Sequence, residues 1–400
     1  MAPLLLHADR LFDGERAQTD AAILIDGGLV RWAGPRARVP ASAKGAREER
    51  VPDGATLLPG LINCHIHLTL SGVPDIAADA KASDSVLALR ALVNAVRGLE
   101  AGVTTVRDLG APSYASIELG RAIARGDFVG PNVVAAGRGI TSTGGHGLEI
   151  GREADGADEV RRAVREQLHA GASVIKLFST GGILGGGASP DISQLTLEET
   201  RAAVEEGHSR GLRVTTHALA AKGMRTAIEA GVDSIGHAAL LDAETIRLCK
   251  EKNVAIVPTL AAIRAILAHP TELGEAVMDR ARVVSSRHQE SIRGAHKAGV
   301  TIAAGTDAGT PFNYAEHFSV ELGALVEIGM TPEEALRAAT SVAAGVIGRS
   351  DVGRIVEGTR ADFVAVPGDP LRDIGAMRSV LGVWKDGQRL AGSSVRPRRA

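Results

Sequence analysis

The hydrophobic pattern divides the chain into two kinds of segment. At both ends, short apolar runs are separated by turn residues. LLLHADRLF (4–12), AAILIDGGLVRWAG (21–34) and ATLLPG (55–60) read as β-strands near the N-terminus. GRIVEGTRADFVAVPG (353–368) and VLGVWKDGQRLAG (380–392) read the same way near the C-terminus. Asp26-Gly27-Gly28 and Asp386-Gly387 fall between apolar runs, where a tight hairpin turn needs residues that accept positive φ. Neither end is long enough to bury a good core alone. The expectation is one small β-sandwich domain built from residues 1–59 and 351–400.

Between the ends the period changes. Short apolar runs at 57–66, 103–109, 132–138, 173–178, 213–217, 233–237, 254–259 and 300–306 alternate with helical stretches at 83–100, 158–170, 196–210, 221–230, 242–252, 278–298 and 332–347. Such alternation predicts an α/β fold with a parallel sheet, most simply a closed (β/α)8 TIM barrel over residues 60–350. A doubly wound open sheet would carry a glycine-rich phosphate turn after its first strand, and LINCHIHL is not one. Glycine clusters at 144–147 and 181–187 follow the third and fourth strands and read as mobile active-site loops.

Residues of metal-ligand type stand at the ends of these runs. His65 and His67 are two apart on one strand, so both face the barrel interior while Cys64 packs outward as a thiol. Lys176 interrupts the apolar SVIKLFS, as a barrel ion pair, a Schiff-base lysine or a carbamylated bridging ligand. His217 ends VTTHA, His237 ends SIGHA and Asp307 ends IAAGTDAG. All lie at the C-terminal ends of strands, where barrel catalysis is placed. Imidazoles and carboxylates suit zinc and similar divalent ions. Two ions need an anionic bridge, which a carbamate on Lys176 would provide. A bound water whose pKa falls to about 7 gives hydroxide at neutral pH. Asp307 could accept its proton and pass it to a leaving amine.

Composition narrows the function further. The 400 residues are 44% hydrophobic, enough for a large core. Forty-five basic residues balance 47 acidic ones, so there is no basic field for nucleic acid, and 2% aromatic content offers few stacking platforms. The basic end VRPRRA (395–400) reads as a solvated tail. Cys64 and Cys249 give no disulfide framework and fit a reducing compartment. No secretion signal or membrane-length apolar run is seen, so a cytoplasmic protein without nucleic-acid or membrane partners is expected.

Taken together, ATLLPGLINCHIHL (55–68), VTTVRDLG (103–110), TSTGGHG (141–147), VIKLFSTGG (174–182), HALAAKGMRTAIEAGVDSIGHA (217–238), AAGTDAGTP (303–311) and GRIVEGTRADFVAVPGDPL (353–371) resemble the amidohydrolase superfamily. They are most similar to its imidazolonepropionase-related branch, which includes metal-dependent Xaa-Pro dipeptidases, carboxypeptidases of N-blocked amino acids and ochratoxin-type amide hydrolases. The resemblance implies that His65, His67 and Asp307 hold one metal, that His217 and His237 hold a second, and that carbamylated Lys176 bridges them. Imidazolonepropionase itself is expected to lack that lysine, so Lys176 points to a binuclear peptidase-like site. The resemblance also implies a homo-oligomer and a small-molecule amide substrate. His146 in TSTGGHG reads as a substrate or transition-state contact. Arg107, Arg138, Tyr314 and His317 are candidates to meet a substrate carboxylate.

Two departures stand out. Relatives often have histidine or tyrosine where Leu219 stands, and glutamate where Gly236 stands. An apolar Leu219 suggests a more apolar substrate pocket. GHSRG (207–211) matches a serine-hydrolase pattern, but it closes a helix rather than following a strand, so Ser209 is not expected to be a nucleophile. His7, His169, His208, His269, His288 and His296 read as ordinary surface histidines. The expected activity is hydrolysis of amide bonds in N-acyl amino acids, dipeptides or ochratoxin-like aryl amides. Cyclic amides, ureas or carbamates are the alternative within enzymes, and a non-enzymatic metal-binding barrel is the alternative outside them.

Overall fold

The structure, a computed structural model, describes residues 2–184 and 189–390. The basic tail 395–400 and part of the 181–187 glycine cluster lie outside the described residues.

Strands from both chain ends join one sheet. Leu4–Phe12, Ala17–Asp26 and Leu29–Pro35 form an antiparallel meander, and Ala55–Pro59 pairs antiparallel with Phe363–Pro367. The Asp26–Leu29 hairpin turns on Gly27 and Gly28, whose φ values of 59° and 77° suit glycine. Asp386 and Gly387, at φ 51° and 76°, turn the hairpin of Gly382–Lys385 with Gln388–Arg389. The sheet forks at its first strand, which pairs with Arg47–Arg50 in one half and with Ala55–Pro59 in the other. Leu6, Ile23, Leu57, Phe363 and Trp384 share the resulting core.

Ala55–Pro59 leads directly into the first barrel strand, Leu61–Ile66, every residue of which is buried. That strand pairs in parallel with Val103–Asp108, which pairs with Asn132–Ala135. Gly139–Thr141 continues the third position after Asn132–Ala135 and pairs in parallel with Ile175–Phe178, and Val214–Ala220, Ser234–Leu240 and Ala255–Val257 follow in parallel as the fifth to seventh positions. The segment 300–306 supplies the eighth position by single contacts rather than a ladder. Ala303 donates its backbone N–H to Ile256, and Cys64 donates to Ala304. The cause lies at Gly305, where an added Cβ would sit 2.5 Å from Val257 Cγ1 and 2.8 Å from the His65 nitrogen. This close approach turns the chain and presents Asp307, at φ 59°, to the barrel mouth.

Most expected helices form near their expected limits, such as Asp84–Glu100, Ala157–Ala170 and Ala221–Ala230. The stretch 332–347 is two helices, Pro332–Ala338 and Ser341–Ile347, interrupted at Thr340. Four α-helices lie outside the expected stretches: Ile76–Asp79, Ala115–Arg125, Leu260–Leu267 and Phe318–Glu327. No helix among the described residues is long and apolar enough to cross a membrane.

Candidate metal centre and active-site cavity

The strand ends bring His65, His67, Lys176, His217, His237 and Asp307 to one cavity of about 240 Å³. Pleating places His65 and His67 on the same interior face. Their Nε2 atoms lie 3.2 and 3.1 Å from Asp307 Oδ1. Ligand-type atoms of these three residues all fall within 4.8 Å of one another. His217 and His237 stand beside them, with ring centroids 4.4 Å apart, and His65 is 4.9 Å from His237. Lys176 is 2% exposed, and its Nζ lies 5.3 Å from the centre of the Phe178 ring.

Surrounding groups fix which ring nitrogens face inward. His67 Nδ1 donates to the Gly110 carbonyl at 2.9 Å, and His217 Nε2 donates to Gly181 O at 3.2 Å. His237 Nδ1 lies 2.7 Å from Thr259 Oγ1, and its backbone carbonyl accepts from His288 Nε2 at 2.9 Å. Asn63 ties the first strand to the eighth: its Nδ2 donates to Thr306 Oγ1, and its Oδ1 accepts from the backbone of His65 and Thr306. His237 and Thr259 adopt left-handed backbone, φ 71° and 54°, a strain held in place by these contacts.

Electrostatics favour a cation. Burial, helped by the Lys176 charge, drives the His65 pKa well below the ordinary imidazole value. Burial and His237 do the same to His217, and burial takes His237 down to about 3. These rings are neutral lone-pair donors at physiological pH. Burial opposes ionisation of Asp307, yet its hydrogen bond with His67, whose own pKa that contact raises, holds the carboxyl below the usual range. Burial pulls Lys176 down to about 7, so a neutral amine is accessible for carbamate formation. Neutral imidazoles beside an ionised carboxylate are a fitting donor set for divalent metal.

The remaining candidates divide. His146 lines the cavity, its ring 4.5 Å from that of His217, with burial pulling its pKa down to about 4. Leu219 lines it too, within an apolar cluster that includes Ile263, Ile266 and Val284. Arg138 does not reach the cavity lining; its guanidinium donates to the Gly151 carbonyl. Tyr314 is likewise absent from the lining, because its ring packs over Gly72 and against His317. Arg107 is buried within the barrel wall, donating to Cys64 O and Ser234 Oγ. Cys64 packs outward, as its place on the strand implies, and burial raises its thiol to about 11. Ser209 ends its helix and donates to Glu206 O.

His288 corrects the reading of it as a surface histidine: it is 3% exposed and lines the cavity. Its long helix, Glu275–Lys297, turns that face onto the strand of His237. Thr259 was also missed, for no motif marks a lone threonine after a short strand. Gly236 has a local cause. A Cβ there would lie 2.9 Å from His65 Cε1 and 3.0 Å from its Nδ1, so a larger residue would displace that imidazole.

Comparison with known proteins agrees with this geometry. The amidohydrolase family model matches residues 56–390. Ochratoxinase of Aspergillus niger is 33% identical over 424 aligned positions, covering 96% of this chain and 85% of that protein. Imidazolonepropionase of Streptomyces coelicolor is 29% identical, covering 92% of each chain. A crystal structure of a Xaa-Pro dipeptidase with methionine bound in its active site superposes with a TM-score of 0.89 at 31% identity, covering 98% of this chain and 100% of the other. The chain belongs to the amidohydrolase family and is therefore a hydrolase acting on carbon–nitrogen bonds.

Proposed function

We propose that this protein is a binuclear metal-dependent hydrolase of amide bonds in small molecules. The observation that carries the reading is the convergence of four histidines, Lys176 and Asp307 at one cavity on the C-terminal ends of the strands. The names of similar proteins, ochratoxinase and Xaa-Pro dipeptidase, support amides of the N-acyl amino acid, dipeptide or aryl type.

His65, His67 and Asp307 would hold one ion, His217 and His237 the other, and Lys176, as a carbamate, would lie between them. When bound, two divalent ions such as zinc supply Lewis acidity at the carbonyl and an activated water at neutral pH. The chain's own residues do the rest. Gly110, Gly181 and Thr259 orient the imidazoles by occupying the nitrogen that faces away from the centre. Asp307 turns Oδ1 to His65 and His67, leaving Oδ2 to accept a proton from the attacking water and return it to the departing amine. His146, on the cavity lining, would hydrogen-bond the substrate carbonyl oxygen as charge develops there. The apolar walls exclude bulk water and so strengthen each of these interactions.

A hydrolysis screen of zinc-loaded protein in bicarbonate tests the reading. It should cover dipeptides, N-acyl amino acids, aryl amides, lactams and carbamates, with Lys176→Ala as control. Cleavage of an acyclic amide that is lost in the variant is the expected result. Activity confined to rings or carbamates would move the reaction class, and activity surviving Lys176→Ala would remove the bridging role.

A further inference from the structure

Outside the proposed metal set, the cavity is built to receive an uncharged molecule. One wall is Leu219, Ile263, Ile266 and Val284, continuous with the buried Leu273 and Met278. The facing wall is Leu70, Ile150 and Phe178, with Ile76 packed against them. The polar side chains between these walls are Thr259, Thr310, His146 and His288. The other ionisable groups on the lining, Asp75 and Glu149, are both acidic.

No described lining residue other than Lys176 carries an ammonium or guanidinium. Arg107 is spent on the Cys64 carbonyl and Ser234, and Arg138 on the Gly151 carbonyl. Arg280 donates from Nε to the Ile183 carbonyl; it is not on the lining, although its charge reaches His146. Residues 185–188 of the neighbouring loop are Gly-Gly-Gly-Ala in sequence and bring no charged side chain. A substrate carboxylate would therefore leave water for an apolar wall with no arginine or lysine on it and with two acidic neighbours, which is unfavourable.

We propose that the substrates are neutral amides with an apolar group on each side of the C–N bond and no free carboxylate. The inference rests on the hydrolase reading above and narrows it to amides of the aryl type, setting aside N-acyl amino acids, dipeptides and the carboxylate contact expected of Arg138 and Tyr314. In the reaction water adds across the bond: the acyl carbon gains oxygen and becomes an acid, the C–N bond breaks, and the nitrogen leaves with the water's proton as an amine.

The test uses a matched pair on zinc-loaded full-length enzyme. N-benzoyl-leucine and N-(3-methylbutyl)benzamide share the acyl group and the alkyl chain and differ only in the carboxylate. The neutral amide is expected to show kcat/KM higher by about 100-fold, the scale of burying an unpaired charge. Leu219→Arg should move that ratio toward the acid by at least about tenfold, by supplying a bidentate partner. Equal or better turnover of the acid by the wild type overturns the proposal. An acid preference that Arg280→Met abolishes overturns it by locating the counter-charge. If neither compound is cleaved, calorimetric binding to the same zinc-loaded enzyme separates the two claims. Tighter binding of the neutral amide without turnover counts against the acyclic-amide reading and upholds the pocket inference; tighter binding of the acid, or of neither, refutes the pocket inference as well.

Discussion

Thr259→Val isolates the contribution of one hydroxyl to the proposed metal centre. Thr259 Oγ1 lies 2.7 Å from His237 Nδ1, and both residues are buried. For His237 to offer Nε2 to a cation, Nδ1 must carry the proton and donate it, and Thr259 is the acceptor. Valine keeps the branched Cβ at the same left-handed backbone, φ 54°, so the strain there is unchanged and only the acceptor is lost. Leaving one buried partner unsatisfied costs about 1–3 kcal/mol. At about 1.4 kcal/mol per factor of ten, that is roughly 5- to 150-fold in affinity. Loss of outer partners of metal ligands generally falls in the same range, about 10- to 100-fold. A competition titration against a chromophoric chelator resolves the two zinc affinities. One should weaken by about 10- to 100-fold while the other stays within about twofold, and Thr259→Ser should restore it. If both affinities of Thr259→Val match the wild type, His237 is not a ligand oriented through Thr259, and the reasoning fails.

Three further perturbations probe other parts of the structure. Gly236→Ala places a methyl 2.9 Å from the His65 ring, so its zinc content should fall below that of wild type with far-ultraviolet circular dichroism unchanged; full occupancy would show that the ring can yield. Phe363→Ala empties a fully buried site in the terminal sheet and should cost about 3–5 kcal/mol of stability; chemical denaturation measures it, and a loss under about 1 kcal/mol would mean the sheet is not tightly packed there. Glu321 is buried where it accepts the Ala261 N–H, and burial pushes its carboxyl up to about 8, against 4.5 in the unfolded chain. The native state thus holds a proton that the unfolded chain releases. The stability this contributes is fully present below about pH 4.5 and is lost as pH rises through about 8, at roughly 1.4 kcal/mol per unit. Glu321→Gln has no such loss, so its Tm relative to wild type should climb from about pH 5 to about pH 8 and then level off; a constant difference would contradict the buried-acid assignment.

Local signals made much of this architecture legible. The Asp-Gly turns could be read because glycine tolerates φ values of 59–77°, and the paired histidines could be read because strand residues two apart share a face. The strand ends carrying Lys176, His217, His237 and Asp307 followed from the same alternation of strand and helix. What escaped depends on tertiary placement. LAAIRAIL at 260–267 is apolar nearly throughout, so its period could not separate a helix from a buried strand, and Thr259 before it offers no side-chain cap. The eighth strand is reduced to single bridges by the close approach at Gly305. His288 was misjudged because the face of a long helix that meets the barrel is decided by packing. Arg138 has the chemistry of an anion site but points its guanidinium at a backbone carbonyl.

The central claim is that this chain carries two metal ions joined through Lys176. The direct measurement is the metal content per chain by inductively coupled plasma mass spectrometry, after zinc loading in bicarbonate and removal of free ion, for wild type and Lys176→Ala side by side. Two equivalents in the wild type and one or fewer in the variant are predicted. A single equivalent in both proteins would contradict a binuclear centre, whatever activity accompanied it.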